Sequence, residues 1–168
     1  YGQRDESIVE HYKSVAAAAD LPFYVYNLPQ STGVEVTPDL MKKIADGVPQ
    51  LAGLKHSSVN FANVREWGKM GLRCFIGNSM LMVPALSIGA VGCIDGPPCA
   101  APELWVAIWE AWKAADVESA VAAQERASIF TEIMREAGVH SGTKAVLSIR
   151  LGIDCGSGRL PSPPMEGS

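Results

Sequence analysis

The chain has 168 residues, enough for one domain with a sizeable core, and its 48% hydrophobic and 19% charged content suits a compact globular protein rather than a disordered one. A formal charge of −4 without any basic block argues against nucleic acid or an anionic membrane as the main partner. No apolar run is long enough to span a bilayer and Tyr1 to Glu10 has no signal-peptide pattern, so the expectation is a cytoplasmic protein.

The sequence predicts the following elements in chain order. Ser7 to Ala19 has the composition of an amphipathic helix, with Ile8, Val9, Tyr12, Val15, Ala16 and Ala19 on one side. Tyr1 is not an initiator methionine and no strand precedes this helix, a pattern expected of the continuation of something larger. Phe23 to Tyr26 follows as a strand. Thr37-Pro38-Asp39 supplies an N-cap, a proline at the first helical position and an acid in the first turn of a helix that Gly47 closes. A strand from about Leu51 to Lys55 comes next. Asn60 is then expected to cap a helix through Met70 that stops at Gly71. Arg73 to Ile76 reads as a strand, Ser79 to Ile88 as a helix ending at Gly89, and Ala90 to Asp95 as a fourth strand.

Each of these strands is separated from the next by one helix. Continuous apolar strands without alternation predict a sheet covered on both faces, hence a parallel α/β arrangement, and the regular spacing suits a barrel better than an open sheet. No G-x-G-x-x-G follows any strand, which weakens a nucleotide-binding reading. After Pro97-Pro98 the pattern is helical only, with helices expected over Pro102 to Ala115, Val117 to Ala137 and about Thr143 to Leu151. The tail from Gly156 to Ser168 is rich in proline and glycine and is expected to be extended or loose. The division expected is 1–96 for the barrel part, 97–155 for the helical extension and 156–168 for the tail.

Cys74, Cys93, Cys99 and Cys155 form no C-x-x-C pair and no histidine stands at metal-ligand spacing from them, so they read as structural thiols in a reducing compartment rather than a zinc site.

Two strand ends carry groups capable of chemistry. Phe23-Tyr24-Val25-Tyr26 stops at a phenol and Leu51-Ala52-Gly53-Leu54-Lys55 stops at an amine. A lysine ending a buried parallel strand loses hydration, and its neutral amine can attack a carbonyl. A nearby phenol is suited to move protons for that step. Spacing alone leaves open the alternative that Lys55 is a surface residue and Tyr26 a core ring.

The surrounding residues resemble a known family. Tyr26-Asn27-Leu28-Pro29 with Thr32-Gly33, Gly53-Leu54-Lys55 with Ser57-Ser58, Gly77-Asn78, Gly89-Ala90-Val91-Gly92-Cys93-Ile94, and Gly142-Thr143-Lys144 with Gly152 and Arg159-Leu160-Pro161 occur in this order. Together they resemble the C-terminal part of the dihydrodipicolinate synthase / N-acetylneuraminate lyase family of class I, pyruvate-dependent aldolases and lyases. The resemblance implies the last four strands of a (β/α)8 TIM barrel followed by three C-terminal helices. It further implies that Lys55 forms an imine with pyruvate or another 2-oxo acid and that Tyr26 relays protons to the imine and to the aldehyde oxygen. Gly77, Asn78, Ile94, Thr32 and Tyr1 are the implied substrate contacts, Tyr1 as the remnant of a tyrosine just after the fourth strand. Neither a metal nor an organic cofactor is implied.

Departures from the family pattern narrow the substrate. Ser31 falls where dihydrodipicolinate synthases carry an arginine, and Ser79 and Met80 fall where sialic acid lyases carry an acidic pair, which disfavours both activities. Met80, Leu81 and Met82 suggest either a less polar aldehyde half or simple packing. His56 stands where many relatives have an acid, and it either tunes the lysine or caps the loop, with the loop role preferred. A complete barrel takes about 250 residues, so this chain is expected to expose half a barrel interior and to need a complementing N-terminal half or self-association, or else to be a fragment of a longer gene product. Trp105, Trp109 and Trp112 recur at helical spacing as a core-facing stripe or an oligomer contact, while Lys144 and Arg150 read as structural or solvated. The alternatives to the aldolase are a non-catalytic half-barrel module and a hydro-lyase using the same imine.

Overall fold

A computed structural model describes residues 3–161, and the chain divides into two units. The first comprises the residues up to Gly77 together with Pro84–Cys93, and the second comprises Asn78–Val83 with the residues from Ile94 on.

The first unit is built on a four-stranded parallel sheet in the order β1 (Phe23–Asn27), β2 (Leu51–His56), β3 (Arg73–Ile76), β4 (Gly92–Cys93). Helices α1 (Asp5–Ala16), α2 (Pro29–Thr32), α3 (Pro38–Gly47) and α4 (Asn63–Lys69) connect or flank these strands, and α5 (Met82–Ser87) precedes β4. This is the α/β arrangement expected. Residues Val25, Leu54, Cys74 and Ile76 of the strands bury one face of the sheet against Leu40, Met41 and Ile44 of α3 and Val64 and Trp67 of α4. Full burial of each large apolar side chain contributes about 1.5–3 kcal/mol.

Among the described residues no helix of this unit covers the opposite face, which corrects the expectation of two buried faces. Burial alternates along β1 and β3 though not along β2, and Tyr24 and Tyr26 are 37% and 45% exposed while Val25 between them is buried. The run Phe23 to Tyr26 looks uniformly apolar in sequence because tyrosine rings count as hydrophobic, yet the helices of this unit pack on one side only.

Several boundaries also shift. Helix α1 stops at Ala16, leaving Val15 47% exposed and Ala19 outside the helix, so neither belongs to the packed side with Ile8, Val9 and Tyr12. The Thr37 hydroxyl caps α3 as expected, accepting from the Leu40 amide at 3.2 Å. Asn60 does not cap α4: that helix begins at Asn63, and the Asn60 amide instead donates to Ser58 Oγ at 3.0 Å while its carbonyl faces His56. The segment expected as one helix from Ser79 is a 3-10 turn over Ser79–Leu81 followed by α5. Strand β4 is only two residues long and pairs with Phe75 and Ile76 of β3.

In the second unit, α6 (Pro102–Lys113), α7 (Val117–Glu136) and α8 (Val139–Leu151) are the three expected helices, with α8 beginning four residues before Thr143. Asp116 caps α7 by accepting from the Ser119 amide at 3.0 Å. Of the tryptophan stripe only Trp105 is buried, its indole N–H donating to the Ser79 carbonyl at 3.2 Å and its ring meeting Phe130 edge-on. Arg150 forks onto the Glu103 carboxylate at 2.7 and 3.1 Å, and Lys144 donates to the Cys155 carbonyl, which gives both cations structural partners. No helix among the described residues is long and apolar enough to cross a membrane. Much of the tail, including Pro163, Pro164 and Gly167, lies outside the described residues.

Candidate active site

The site is built at the C-terminal ends of β1 and β2. Parallel pairing sets Tyr26 opposite Lys55 and Asn27 opposite His56, and on the other side of β2 it sets Lys55 opposite Phe75. Because side chains alternate across a strand, Tyr26, Lys55 and Phe75 rise from the open face, whereas Asn27 and His56 point into the helix-covered side. The Lys55 Nζ lies 4.1 Å from the centroid of the Tyr26 ring, within cation–π range. The structure therefore brings together the two groups singled out as catalytic. Lys55 is half-buried rather than enclosed, and Tyr26 keeps 45% of its surface exposed.

The sequence allows this close packing because two glycines stand beside the pair. A Cβ on Gly53 would run into the backbone carbonyl of Arg73 and come within 2.7 Å of the Tyr24 ring. A Cβ on Gly77 would collide with the Ser57 hydroxyl. Gly77 thus ends β3 tight against the segment that leaves Lys55, and its amide donates to the His56 carbonyl at 2.7 Å. The Ser57 hydroxyl is buried there without a hydrogen-bond partner among the described residues.

Behind the reactive pair lies a buried polar cluster. Asn27 and His56 are both wholly buried, with Asn27 Nδ2 3.3 Å from His56 Nδ1 and His56 Nε2 3.1 Å from the Asn60 carbonyl oxygen. The carbonyl can only accept, so Nε2 carries the proton and Nδ1 accepts from the Asn27 amide. Asn27 Oδ1 accepts from the Val36 amide at 3.0 Å, and its Nδ2 also reaches Glu35 Oε1 at 3.0 Å. The other Glu35 oxygen accepts from Ser58 Oγ at 2.8 Å. The Trp67 ring packs edge-on against the imidazole, and burial pushes the His56 pKa down. Gln30 adds a further tie, donating to the Ser57 carbonyl at 2.7 Å between the segments that follow β1 and β2.

Sequence reasoning missed Glu35 and Gln30. Glu35 follows Gly33 within the segment that resembles the family, so an acid there was a signal available but unused. The loop role preferred for His56 agrees with its bond to Asn60.

The remaining expected contacts scatter. Thr32 is exposed, and its hydroxyl is engaged locally, accepting from the Val34 amide at 3.2 Å and lying 3.0 Å from the Leu28 carbonyl oxygen. It lines a cleft of about 410 Å³ with Tyr26, Ser7, His11, Tyr12 and Val34, so Tyr26 borders both this cleft and Lys55. Asn78 and Ile94 belong to the second unit, where the Asn78 side chain accepts from the Met80 amide at 3.1 Å and Ile94 is 46% exposed. In that unit Met82 is buried and Met80 half-buried, which favours packing over a substrate surface. Tyr1 lies outside the described residues.

Comparison with known proteins gives a consistent picture. The family model for the dihydrodipicolinate synthetase family matches residues 1–168. An uncharacterized DapA-like lyase of Halobacterium salinarum is 35% identical over 155 residues, covering 91% of this chain and 50% of that protein. The 4-hydroxy-tetrahydrodipicolinate synthase of Archaeoglobus fulgidus is 28% identical over 159 residues, covering 93% and 54%. Among solved structures, a catalytic-lysine mutant of the sialic acid aldolase of Ruminococcus gnavus superimposes with a TM-score of 0.92 at 26% identity, covering 99% of this chain and 56% of that one. The chain spans about half the length of the curated relatives it matches.

Proposed function

The chain belongs to the dihydrodipicolinate synthetase family, and from that premise we propose that it carries the Schiff-base half of a class I aldolase or lyase acting on pyruvate or another 2-oxo acid and an aldehyde. The neutral amine of Lys55 attacks the keto carbon to give a carbinolamine, and loss of water leaves a protonated imine. That cation draws the electron pair of the adjacent carbon–carbon bond as it breaks, or stabilises the enamine that attacks the aldehyde in the reverse direction. Tyr26 is the proton relay, giving a proton to the departing hydroxyl of the carbinolamine and exchanging one with the aldehyde oxygen. Gly77 keeps the strand end open, because a side chain there would displace Ser57.

The observation that carries this reading is the Lys55 amine held 4.1 Å from the Tyr26 ring at the C-terminal end of a parallel sheet, the end where barrel enzymes place their sites. The relatives point the same way, since those with assigned names include a 4-hydroxy-tetrahydrodipicolinate synthase and a sialic acid aldolase. The test is incubation with pyruvate and borohydride followed by peptide mass analysis. A reduced pyruvate adduct on Lys55 supports the reading, and a folded sample that remains unmodified refutes it for this chain.

One observation favours a second reading. The open face of the sheet, with Tyr24 and Tyr26 exposed, suits a half-barrel that works as an interaction module, closed by a complementing N-terminal half or by a second copy. Absence of the adduct together with a defined oligomer would favour that module.

A further inference from the structure

We propose that Asn27, His56 and Glu35 form a positioning device that holds the Lys55 amine against Tyr26, and that this device works only with His56 neutral and protonated on Nε2. The inference rests on the reading of Lys55 as the imine-forming residue. It concerns how that residue is aimed rather than what it attacks.

The argument begins with register. Asn27 and His56 are paired across β1 and β2, immediately after the pair Tyr26 and Lys55, and they project to the opposite face. A side-chain bond between them therefore adds to the backbone bond from the Ser57 amide to the Asn27 carbonyl at 2.9 Å in holding the two strand ends together at the step next to the reactive pair. The two Nδ2 hydrogens of Asn27 face Glu35 Oε1 at 3.0 Å, His56 Nδ1 at 3.3 Å and the Val36 carbonyl oxygen at 3.4 Å. Asn27 cannot turn its amide over, because Oδ1 faces the Val36 amide and Nδ2 faces the Glu35 carboxylate. His56 cannot move its proton to Nδ1 without setting two donors at 3.3 Å and leaving Nε2 lone-paired against the Asn60 carbonyl oxygen. Protonation has the same effect at Nδ1, since an imidazolium donates from both nitrogens.

The groups facing the imidazole among the described residues are the Asn27 amide and the Glu35 carboxylate behind it from the β1 side, the Asn60 carbonyl from the loop after β2, and the Trp67 ring from α4. Only Glu35 is charged, and it favours the imidazolium, while burial opposes it. Both of its oxygens are already occupied, by Asn27 and by Ser58. When an imidazolium forms, Asn27 must break with Val36 or with His56. Breaking with His56 removes the side-chain tie beside Tyr26, and breaking with Val36 frees the Asn27 side chain that makes it, while the backbone bond from the Ser57 amide to the Asn27 carbonyl at 2.9 Å stays.

The test reads the Lys55–Tyr26 contact directly by nuclear magnetic resonance on the full chain. The Lys55 Nζ lies 4.1 Å from the Tyr26 ring centroid, so the ε-methylene protons bonded next to it are expected upfield of those of the other lysines at neutral and alkaline pH. On acidification this shift should collapse in step with the titration of the His56 ring signals, while near-ultraviolet circular dichroism stays native. His56→Phe, folded, should lack the pH step and show the weakened shift throughout. Retention of the upfield shift while His56 titrates, or in a folded variant, overturns the inference. So does acid unfolding of the whole chain with no prior step in the Lys55 signal. These readouts need no substrate, so a failure to trap pyruvate would overturn the proposed function and leave the positioning result standing on its own spectrum.

Discussion

The ammonium of Lys55 stands 4.1 Å from the centre of the Tyr26 ring, and the two residues are register partners on adjacent parallel strands. The contact therefore depends on backbone pairing and not on a chance meeting of flexible side chains. The ring does two things in this geometry. Its face receives the cation, and its edge carries the hydroxyl proposed to move protons.

Those two contributions separate under substitution. Tyr26→Phe keeps the ring beneath the amine and removes only the hydroxyl, so Lys55 should still accept pyruvate under borohydride, at a rate lower by about 10²–10⁴-fold, the usual worth of a positioned acid–base group. Lys55→Ala should abolish the adduct altogether. Trapping by Tyr26→Phe at the wild-type rate would remove the phenol from the chemistry.

Gly53 should be the more sensitive of the two glycines beside the pair. A methyl group at Gly53 meets the backbone oxygen of Arg73, which cannot rotate away, whereas one at Gly77 meets chiefly the Ser57 hydroxyl, which can, and leaves a lesser contact with Ser57 Cβ at 2.9 Å. Forcing a methyl into such a contact costs about 1–3 kcal/mol. Urea denaturation should therefore show Gly53→Ala well below wild type and Gly77→Ala less affected. The reverse order would mean that the strand pairing of β2 with β3 yields more easily than Ser57 does.

Buried Cys74 and exposed Cys99 provide a check on the core that is independent of the site. Burial pushes the Cys74 thiol up to about 12, so almost none of it is thiolate near neutral pH. Alkylation of the native chain should modify Cys99 rapidly, and Cys74 should react only after denaturation. Labelling of Cys74 in the native state would contradict the packing of β3 against α3 and α4.

Tyr26 and Lys55 stood out as the ends of two apolar runs, but spacing alone left a surface lysine and a core ring open and only the resemblance of the flanking residues joined them, whereas the cap at Thr37 was legible because Thr-Pro-Asp dictates a helix start locally. The cluster behind the pair was not. Asn27, Glu35 and His56 meet only when β1 is registered on β2 and the loop through Val36 folds back over Asn27, and no local spacing encodes that. The open face was hidden for a different reason. Tyr24 and Tyr26 score as apolar in a strand, so the alternation that marks a one-sided sheet was lost in the composition of the run.

The buried histidine gives stability a pH dependence whose sign can be worked out. His56 has a folded pKa below its ordinary value near 6.5, chiefly because burial disfavours the imidazolium. Between the lowered folded value and about 6.5 the unfolded chain binds a proton that the native chain refuses. Stability thus falls as pH drops below about 6.5, with a limiting slope of about 1.4 kcal/mol per pH unit from this group, and the fall ends once the native histidine also titrates. Above that range His56 contributes no slope. Removing the titrating group in His56→Phe should flatten the profile between pH 6.5 and the lowered value while reducing stability near pH 8, where Asn27 and the Asn60 carbonyl lose their partner. Urea unfolding of both proteins across this range measures the difference. An unchanged acid limb in the variant would mean that another group causes the loss and that the imidazole is not held neutral by the fold.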